Sequence, residues 1–173
     1  VYADGSSVNY VHSIRKILTQ EGVDTRGKDQ INGELVIART VNPDGTVLEP
    51  ISQPGGLIEF PGVKIGAYLD VAYIVRFDGG PLETLNGDSF FFMDQELGEP
   101  FCISRFIVIA PNTMPLVAIY HNLGPDDAGV DIRQETSGEM TVRAWDVRNL
   151  RLPEAEQFMP SALEVIPWIQ FVQ

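Results

Sequence analysis

The chain has 173 residues, 44% of them hydrophobic and 21% charged, which fits one folded domain with a sizeable core. Twelve basic against 24 acidic residues give a formal net charge of −12, which disfavours nucleic acid and anionic lipid as partners. No apolar run approaches the roughly 18 residues of a membrane span, and no signal peptide opens the chain. Because the chain starts at Val1 rather than Met, we expect a processed or excised piece of a larger chain.

The first predicted element is a long β-strand from Ser7 to about Thr19. Its β-branched residues and the Glu21-Gly22 stop favour a strand, and a helix over Val11 to Gln20 is the alternative. A second strand is predicted from Ile31 to Val41. Its inward positions are expected to be Leu35, Ile37 and Val41.

A β-hairpin is predicted at Asn42-Pro43-Asp44-Gly45, between apolar flanks. Proline presets the turn, aspartate bonds its own backbone and glycine accepts positive φ. The connection from Glu49 to Phe60 is rich in proline and glycine, with one short extended piece from Leu57 to Phe60.

The most regular pattern in the chain runs from Val63 to Phe77. Every second residue is apolar or aromatic, whereas the other phase includes Lys64, Asp70 and Arg76. A period of two predicts a long strand with one buried face and one largely wet face. The buried row is predicted to be Val63, Ile65, Ala67, Leu69, Val71, Tyr73, Val75 and Phe77.

Further strands are predicted in the second half of the chain. The strand from Phe101 to Ala110 is apolar in both phases, so we expect cover on both of its faces. The other predicted extended segments are Ser89 to Met93, Leu116 to His121, a hairpin of Val130 to Gln134 with Met140 to Asp146, and Val165 to Val172. Strands separated by turns, without sustained helical periodicity, predict an all-β fold: an antiparallel β-sandwich with Greek-key-like connections and little helix, forming a single domain over residues 1–173.

The only thiol is Cys102, which is predicted to lie mid-strand, buried and inert. A cysteine hydrolase would need Cys102 beside His12 or His121, plus an orienting residue such as Asn122. Nothing in the spacing supports that arrangement, so both histidines are expected at the surface or at a strand edge.

Two acidic clusters are candidates for cation binding, since loop carboxylates suit hard cations such as calcium. Asp126, Asp127 and Asp131 surround a glycine-rich turn, but their spacing does not match an EF-hand loop. A solvated acidic turn is therefore favoured, and the same holds for the run Asp94, Glu96 and Glu99. We predict no metal and no cofactor.

Aromatic residues could line a face for a glycan or peptide. The candidates are Phe90, Phe91, Phe92, Tyr68 and Trp168, and the sandwich core is the favoured place for most of them.

Several phrases in order along the chain resemble one known family. They are Asp4-Gly5-Ser6, Ile17-Leu18-Thr19-Gln20-Glu21-Gly22-Val23, Val41-Asn42-Pro43-Asp44-Gly45-Thr46-Val47, Phe60-Pro61-Gly62-Val63-Lys64-Ile65-Gly66-Ala67, Ser104-Arg105-Phe106-Ile107-Val108, Trp145-Asp146-Val147 and Phe158-Met159-Pro160. The family is the β-rich domain of unknown function that forms the N-terminal module of bacterial transglutaminase-like proteins. The resemblance implies a non-catalytic accessory domain of an exported protein, periplasmic or extracellular, with any Cys-His-Asp core downstream of it.

The leading hypothesis from the sequence is therefore an accessory module that packs on or positions a downstream domain or another protein. The apolar C-terminal stretch supplies the candidate interface, Trp168, Ile169, Phe171 and Val172. The alternative is a stand-alone module that binds a glycan or a peptide.

Overall fold

The computed structural model describes residues 1–78, 89–93, 100–123, 129–150 and 161–172. Strands dominate these residues and every strand pairing is antiparallel, so the predicted all-β fold with little helix is confirmed. The strands are β1 (Ser7–Lys16), β2 (Lys28–Gln30), β3 (Glu34–Val41), β4 (Val47–Leu48), β5 (Ile51–Ser52), β6 (Leu57–Glu59), β7 (Tyr68–Phe77), β8 (Ser89–Phe91), β9 (Ile103–Pro111), β10 (Val117–His121), β11 (Val130–Ser137), β12 (Met140–Arg148) and β13 (Trp168–Val172). The helices are α1 (Gln20–Thr25) and α2 (Ala162–Val165).

Backbone contacts divide the chain into two compact units. The first unit is Ser7–Asp78, and the second combines Val1–Ser6 with Gly79–Gln173. Each unit has its own hydrophobic cluster. That the whole span 1–173 behaves as one domain stays a prediction.

The first unit contains two sheets with a shared core. The larger sheet has the strand order β1-β7-β3-β4, and the smaller has the order β2-β6-β5. Apolar side chains from both sheets meet between them, as in a sandwich. The buried cluster consists of Ile17, Ile31, Ala38, Ile58, Phe60, Leu69 and Val71.

The central strand β7 follows the predicted alternation only in part. It begins at Tyr68, because the preceding residues form a turn in which the Ala67 N–H bonds the Lys64 carbonyl at 3.0 Å. Leu69 and Val71 of the predicted row are buried, but Ile65 is 53% exposed and Phe77 is 47% exposed. The opposite phase was predicted wet, and this is wrong at Asp70 and Ala72, which are buried.

The predicted inward positions of β3 are wrong because the strand carries a bulge. Its pairing with β7 shifts between Leu35 and Ile37, so one extra residue reverses the alternation that follows. Ala38 and Thr40 are the buried positions, while Leu35 is 38% exposed.

The strand at the start of the chain and the first hairpin are confirmed. β1 covers Ser7–Lys16, and the short helix α1, which the sequence did not predict, follows it. Helix α1 begins after Thr19, whose hydroxyl accepts a hydrogen bond from the Gly22 N–H at 3.1 Å. The β3–β4 hairpin is closed by the turn at Asn42–Gly45, where Gly45 has φ +83°.

The second unit also contains two three-stranded sheets around a core. Their strand orders are β10-β13-β8 and β11-β12-β9. The buried cluster consists of Phe92, Val108, Ala110, Leu116, Leu123, Trp145, Val147, Ile169 and Phe171. The β11–β12 hairpin turns more tightly than predicted, because Ser137 already pairs with Met140 and Gly138 adopts φ +60°.

The predicted cover on both faces of β9 is wrong. Val108 and Ala110 point into the core, whereas Ile103, Ile107 and Ile109 are 62%, 49% and 48% exposed. In the described part of the chain, the second sheet of this unit covers one face of β9 only.

The C-terminal segment is extended from Trp168, as predicted, after the single turn α2. β13 is the middle strand of its sheet and pairs with β10 and β8. No helix in the described ranges is long and apolar enough to cross a membrane.

Two substitutions in the apolar row predicted from Val63 to Phe77 test which of its residues are buried. Leu69→Ala should lower the free energy of unfolding by about 2–5 kcal/mol, because it leaves a cavity in the core. Ile65→Ala should change it by no more than about 0.5 kcal/mol, because that side chain is exposed. Urea denaturation followed by circular dichroism measures both, whereas tryptophan fluorescence would report on the second unit, which contains Trp145 and Trp168. Equal losses in the two variants would contradict the assignment.

Candidate functional site

The first candidate site centres on Asp70, the third residue of β7, which is an inner strand of its sheet. Its side chain is largely buried, and both carboxylate oxygens have partners on the neighbouring strands. Oδ1 bonds His12 Nε2 on β1 at 2.8 Å, and Oδ2 bonds Arg39 on β3 at 2.7 Å. Arg39 lies directly opposite Asp70 in the ladder, whereas His12 is displaced by two residues and lies opposite Ala72.

Burial of Asp70 by itself raises the pKa of the carboxyl group. The hydrogen bonds from His12 and Arg39, together with the positive charge of Arg39, outweigh this effect, so the pKa lies below its ordinary value. With both oxygens engaged, Asp70 is better suited to joining three strands than to accepting a proton from a substrate.

Exposed apolar and aromatic side chains surround this ion pair. We call the surface formed by Tyr10, His12, Ile14, Arg39, Tyr68 and Asp70 the Asp70 face. Tyr10 is 57%, Ile14 62% and Tyr68 41% exposed. Lys16 adds a positive charge, with its ammonium group 5.4 Å from the centre of the Tyr68 ring. The face therefore combines aromatic surface with cationic groups.

The second unit repeats this arrangement around Asp146, near the end of β12, which is the middle strand of its sheet. Asp146 is 2% exposed and is joined to Arg105 on β9 and to Arg133 on β11. Arg105 is directly opposite Asp146, and Arg133 is displaced by two residues, opposite Ala144. In both units a buried aspartate on a central strand is thus held by an arginine directly opposite and by a second side chain displaced by two residues, His12 in the first unit and Arg133 in the second.

A shallow groove of about 650 Å³ lies on the outer side of the β11-β12-β9 sheet. Its lining combines the Asp146 ion pairs with apolar side chains from β9 and β12, including Ile107 and Val142. We call the exposed row Ile103, Arg105, Ile107 and Ile109 the β9 face. An open, mixed surface of this kind suits contact with another protein surface better than enclosure of a small substrate.

The prediction that Cys102 is buried is wrong, because the residue is exposed. Cys102 precedes β9 instead of lying inside it, and its carbonyl accepts a hydrogen bond from the Asn149 N–H at 2.9 Å. Exposure alone does not make a thiol a nucleophile, since an activating base is also needed.

The two histidines have different partners, and among the described residues no hydrogen bond or ring contact joins either of them to Cys102. His12 is hydrogen-bonded to Asp70 in the first unit, where the aspartate is also held by Arg39. His121 stacks on Trp168 with ring centres 3.6 Å apart, and its buried Nε2 has no hydrogen-bond partner among the described residues.

The proposed cation sites are only partly covered by the structure. Asp131 is described, and its carboxylate bonds the Arg133 side chain at 2.9 Å. Asp126 and Asp127, and likewise Asp94, Glu96 and Glu99, lie outside the described residues. Within the described ranges, no group of three or more Asp, Glu, His or Cys side chains could hold a metal ion.

The aromatic run at β8 belongs mainly to the core, as favoured from the sequence. Phe92 is fully buried, and Phe90 stacks on Phe106 with ring centres 4.5 Å apart. Phe91 is half-buried and leans against Trp168. Of the predicted platform residues, Tyr68 is the exposed one, and it lies on the Asp70 face.

Two of the four predicted interface residues lie in the hydrophobic core. Ile169 and Phe171 are buried in the cluster of their own unit, where they stabilise the fold. Trp168 is half-buried against His121, and Val172 ends β13 opposite Val117. A docking role for this segment stays a prediction, with Trp168 as its partly accessible member.

Neither bridged aspartate is predicted from the sequence, although a signal is present. Asp70 and Asp146 each interrupt an apolar strand, between Leu69 and Val71 in one case and between Trp145 and Val147 in the other. A charge in such a strand needs partners, but the partners are set by strand order.

The scan of family models finds no match for this chain, and the search of curated proteins also finds none. Among solved structures, the fold is similar to part of a putative protease from Parabacteroides distasonis, with a TM-score of 0.79 at 15% sequence identity. The match covers all of this chain and 38% of the Parabacteroides chain. The two proteins therefore share a fold, and in the Parabacteroides protein that fold is one part of a larger polypeptide.

Replacing Asp70 by Asn tests the role of the first ion pair. Asp70→Asn should destabilise the chain by about 1–3 kcal/mol at pH 7, because His12 and Arg39 lose a charged acceptor. Because the pKa of Asp70 is lowered by folding, its stabilisation is present above about pH 4 and is lost as the pH falls through the folded-state value.

The measurement is urea denaturation between pH 7 and pH 2. The difference in free energy of unfolding between wild type and Asp70→Asn should shrink below about pH 4. Glu49→Gln, at an exposed position, serves as the control and should match wild type within about 0.5 kcal/mol. A constant difference across the whole range would contradict the ionic role of Asp70.

Proposed function

We propose that this chain is a non-catalytic accessory module of a larger exported bacterial protein of the transglutaminase-like class, and that it packs on a neighbouring domain and positions it. The observation that carries the proposal is the structural match, in which the whole fold corresponds to 38% of a longer putative protease. The ordered phrases from Asp4-Gly5-Ser6 to Phe158-Met159-Pro160 support the finer family assignment.

The β9 face is the surface best suited to such packing. Its three isoleucines are exposed in one row, and Arg105 lies among them with its charge balanced by Asp146. Interfaces combine exposed apolar area with arginine in this way, and contiguous apolar rows on a protein surface often mark contact sites. Trp168 is a second candidate contact, since its indole is half-buried.

The settings of the candidate catalytic groups support a non-catalytic role. The exposed Cys102 lies before β9, the His12 ring is bound to Asp70, and the His121 ring is stacked on Trp168. None of these contacts joins a thiol to a base.

A stand-alone glycan- or peptide-binding module is the second candidate. The observation that favours it is the Asp70 face, where Tyr10 and Tyr68 are exposed beside cationic groups. The Phe90–Phe92 run, in contrast, is unsuited to a ligand platform because Phe92 is fully buried.

The 173-residue chain should show no peptidase activity. We expect hydrolysis of labelled casein and of a dipeptide library at the rate of the buffer blank, with wild type and Cys102→Ala indistinguishable. Activity that Cys102→Ala abolishes would overturn the non-catalytic assignment.

If the β9 face packs on a neighbouring domain, its backbone amides should be protected from hydrogen exchange in the natural polypeptide. Amide hydrogen exchange of β9 and β12 should slow by at least tenfold in the full polypeptide relative to the 173-residue chain. Ile107→Asp should remove this protection, whereas Val47→Asp, at a similarly exposed position on β4, should not. A gene that encodes no further domain, or equal exchange in the two forms, would contradict the proposal.

A further inference from the structure

β1 is the end strand of the largest sheet in the structure. It pairs with β7 over ten consecutive residues without a bulge, and the described residues place no strand on its other side. Its sequence, Ser7 to Lys16, contains no proline. Native proteins usually protect a long edge with proline, a bulge, a very short strand or lysine, and of these β1 has only Lys16, at its last position.

The ladder shows which backbone groups of β1 point away from β7. Just after β1, the Ile17 N–H bonds the Ala67 carbonyl at 2.9 Å and the Ile17 carbonyl accepts the Gly66 N–H at 2.7 Å. Neighbouring residues of an antiparallel strand alternate in direction, so odd-numbered residues face β7. The even-numbered residues from Val8 to Lys16 therefore direct their N–H and C=O groups to the open edge.

The side chains along this edge offer contacts for a bound strand. Val8, Tyr10 and Ile14 are 37%, 57% and 62% exposed, and Tyr10 and Ile14 belong to the Asp70 face. They are separated by two and four residues, so alternate residues of an added strand would pack against them.

The charge of β1 is opposite in sign to that of the whole chain. The strand contains Arg15 and Lys16 and no acidic residue, although the net charge of the chain is −12. Arg15 lies 3.7 Å from Asp29, while Lys16 is exposed beside Tyr68. An acidic residue placed opposite Lys16 would be attracted to the edge.

We propose that the free edge of β1 binds an extended segment of another protein, which adds as an antiparallel strand. The segment carries apolar residues at alternate positions and an acidic residue opposite Lys16. Backbone hydrogen bonds supply the attraction, while the exposed row and the lysine set the register and direction. This binding does not depend on the β9 face, so it can fail or succeed separately from the proposed accessory function.

The probe is a fluorescein-labelled, capped nonapeptide with two aspartates followed by alternating valine and threonine, so that its first residue lies opposite Lys16 and its ninth opposite Val8. Fluorescence polarisation with the 173-residue chain should show saturable binding at micromolar to submillimolar peptide. A second probe of the same sequence, with N-methyl groups on alternate amides, keeps the side chains but loses the ladder donors. We expect at least tenfold weaker binding for the methylated probe.

Two substitutions of Tyr10 distinguish the contribution of its backbone N–H to binding from that of its side chain. Tyr10→Pro removes an outward N–H that β7 does not use, and edge strands tolerate proline in that orientation. Tyr10→Thr removes the ring and keeps the N–H. Tyr10→Pro should weaken binding at least tenfold and Tyr10→Thr less than threefold, with circular dichroism confirming that both fold. Lys16→Glu should weaken binding of the acidic probe at least threefold. The same substitution should strengthen binding of a probe that has lysines in place of its aspartates.

Absence of binding at 1 mM probe would overturn the proposal, as would equal binding of the methylated probe. If Tyr10→Pro binds like wild type, the edge of β1 is not the site. Sedimentation tests the competing occupant, a second copy of this chain. If the chain forms a dimer that Tyr10→Pro dissociates but the probe peptide leaves intact, the edge of β1 serves self-association. That result would refute the proposed binding of a segment of another protein.

Discussion

Each unit depends on a buried carboxylate that joins three strands. Asp70 and Asp146 lie on the inner strands β7 and β12, where an unpaired buried charge would cost several kcal/mol, and each is held by side chains on both neighbouring strands. These side chains must come from particular register positions, so these ion pairs specify strand alignment as well as contributing stability. Apolar packing on the inner side of each sheet tolerates more variation, whereas a register slip of one residue would leave the carboxylate without a partner.

Local turn chemistry and strong alternation were sufficient to predict much of the fold. The hairpin at Asn42–Gly45 and the buried pair Leu69 and Val71 follow from residues close together in sequence. The bulge in β3 has no comparable local signal, and it reverses the faces of the residues after it. In β9 both alternating sets of residues are apolar, so the sequence does not show which face of the strand the second sheet covers. The isoleucines that are exposed in the structure were therefore predicted to be covered.

The candidate sites were harder to predict than the fold, because they depend on strand order. Asp70 is 58 residues from His12 and 31 from Arg39, and Asp146 is 41 residues from Arg105. A single sequence shows that an aspartate interrupts an apolar strand, but not which strands flank it. Cys102 illustrates the same limit on a smaller scale, since a shift of the strand start by two residues moves it from the interior to the surface.

The unprotected edge of β1 has a consequence for the behaviour of the protein in concentrated solution. Two copies, each with a net charge of −12, repel one another over distances near the Debye length, about 8 Å at physiological ionic strength. Long-range repulsion thus takes the place of proline or a bulge in keeping the edges apart. Colloidal stability should therefore be greatest in dilute buffer, and high salt or a pH near the isoelectric point of about 4.4 should favour aggregation through this strand.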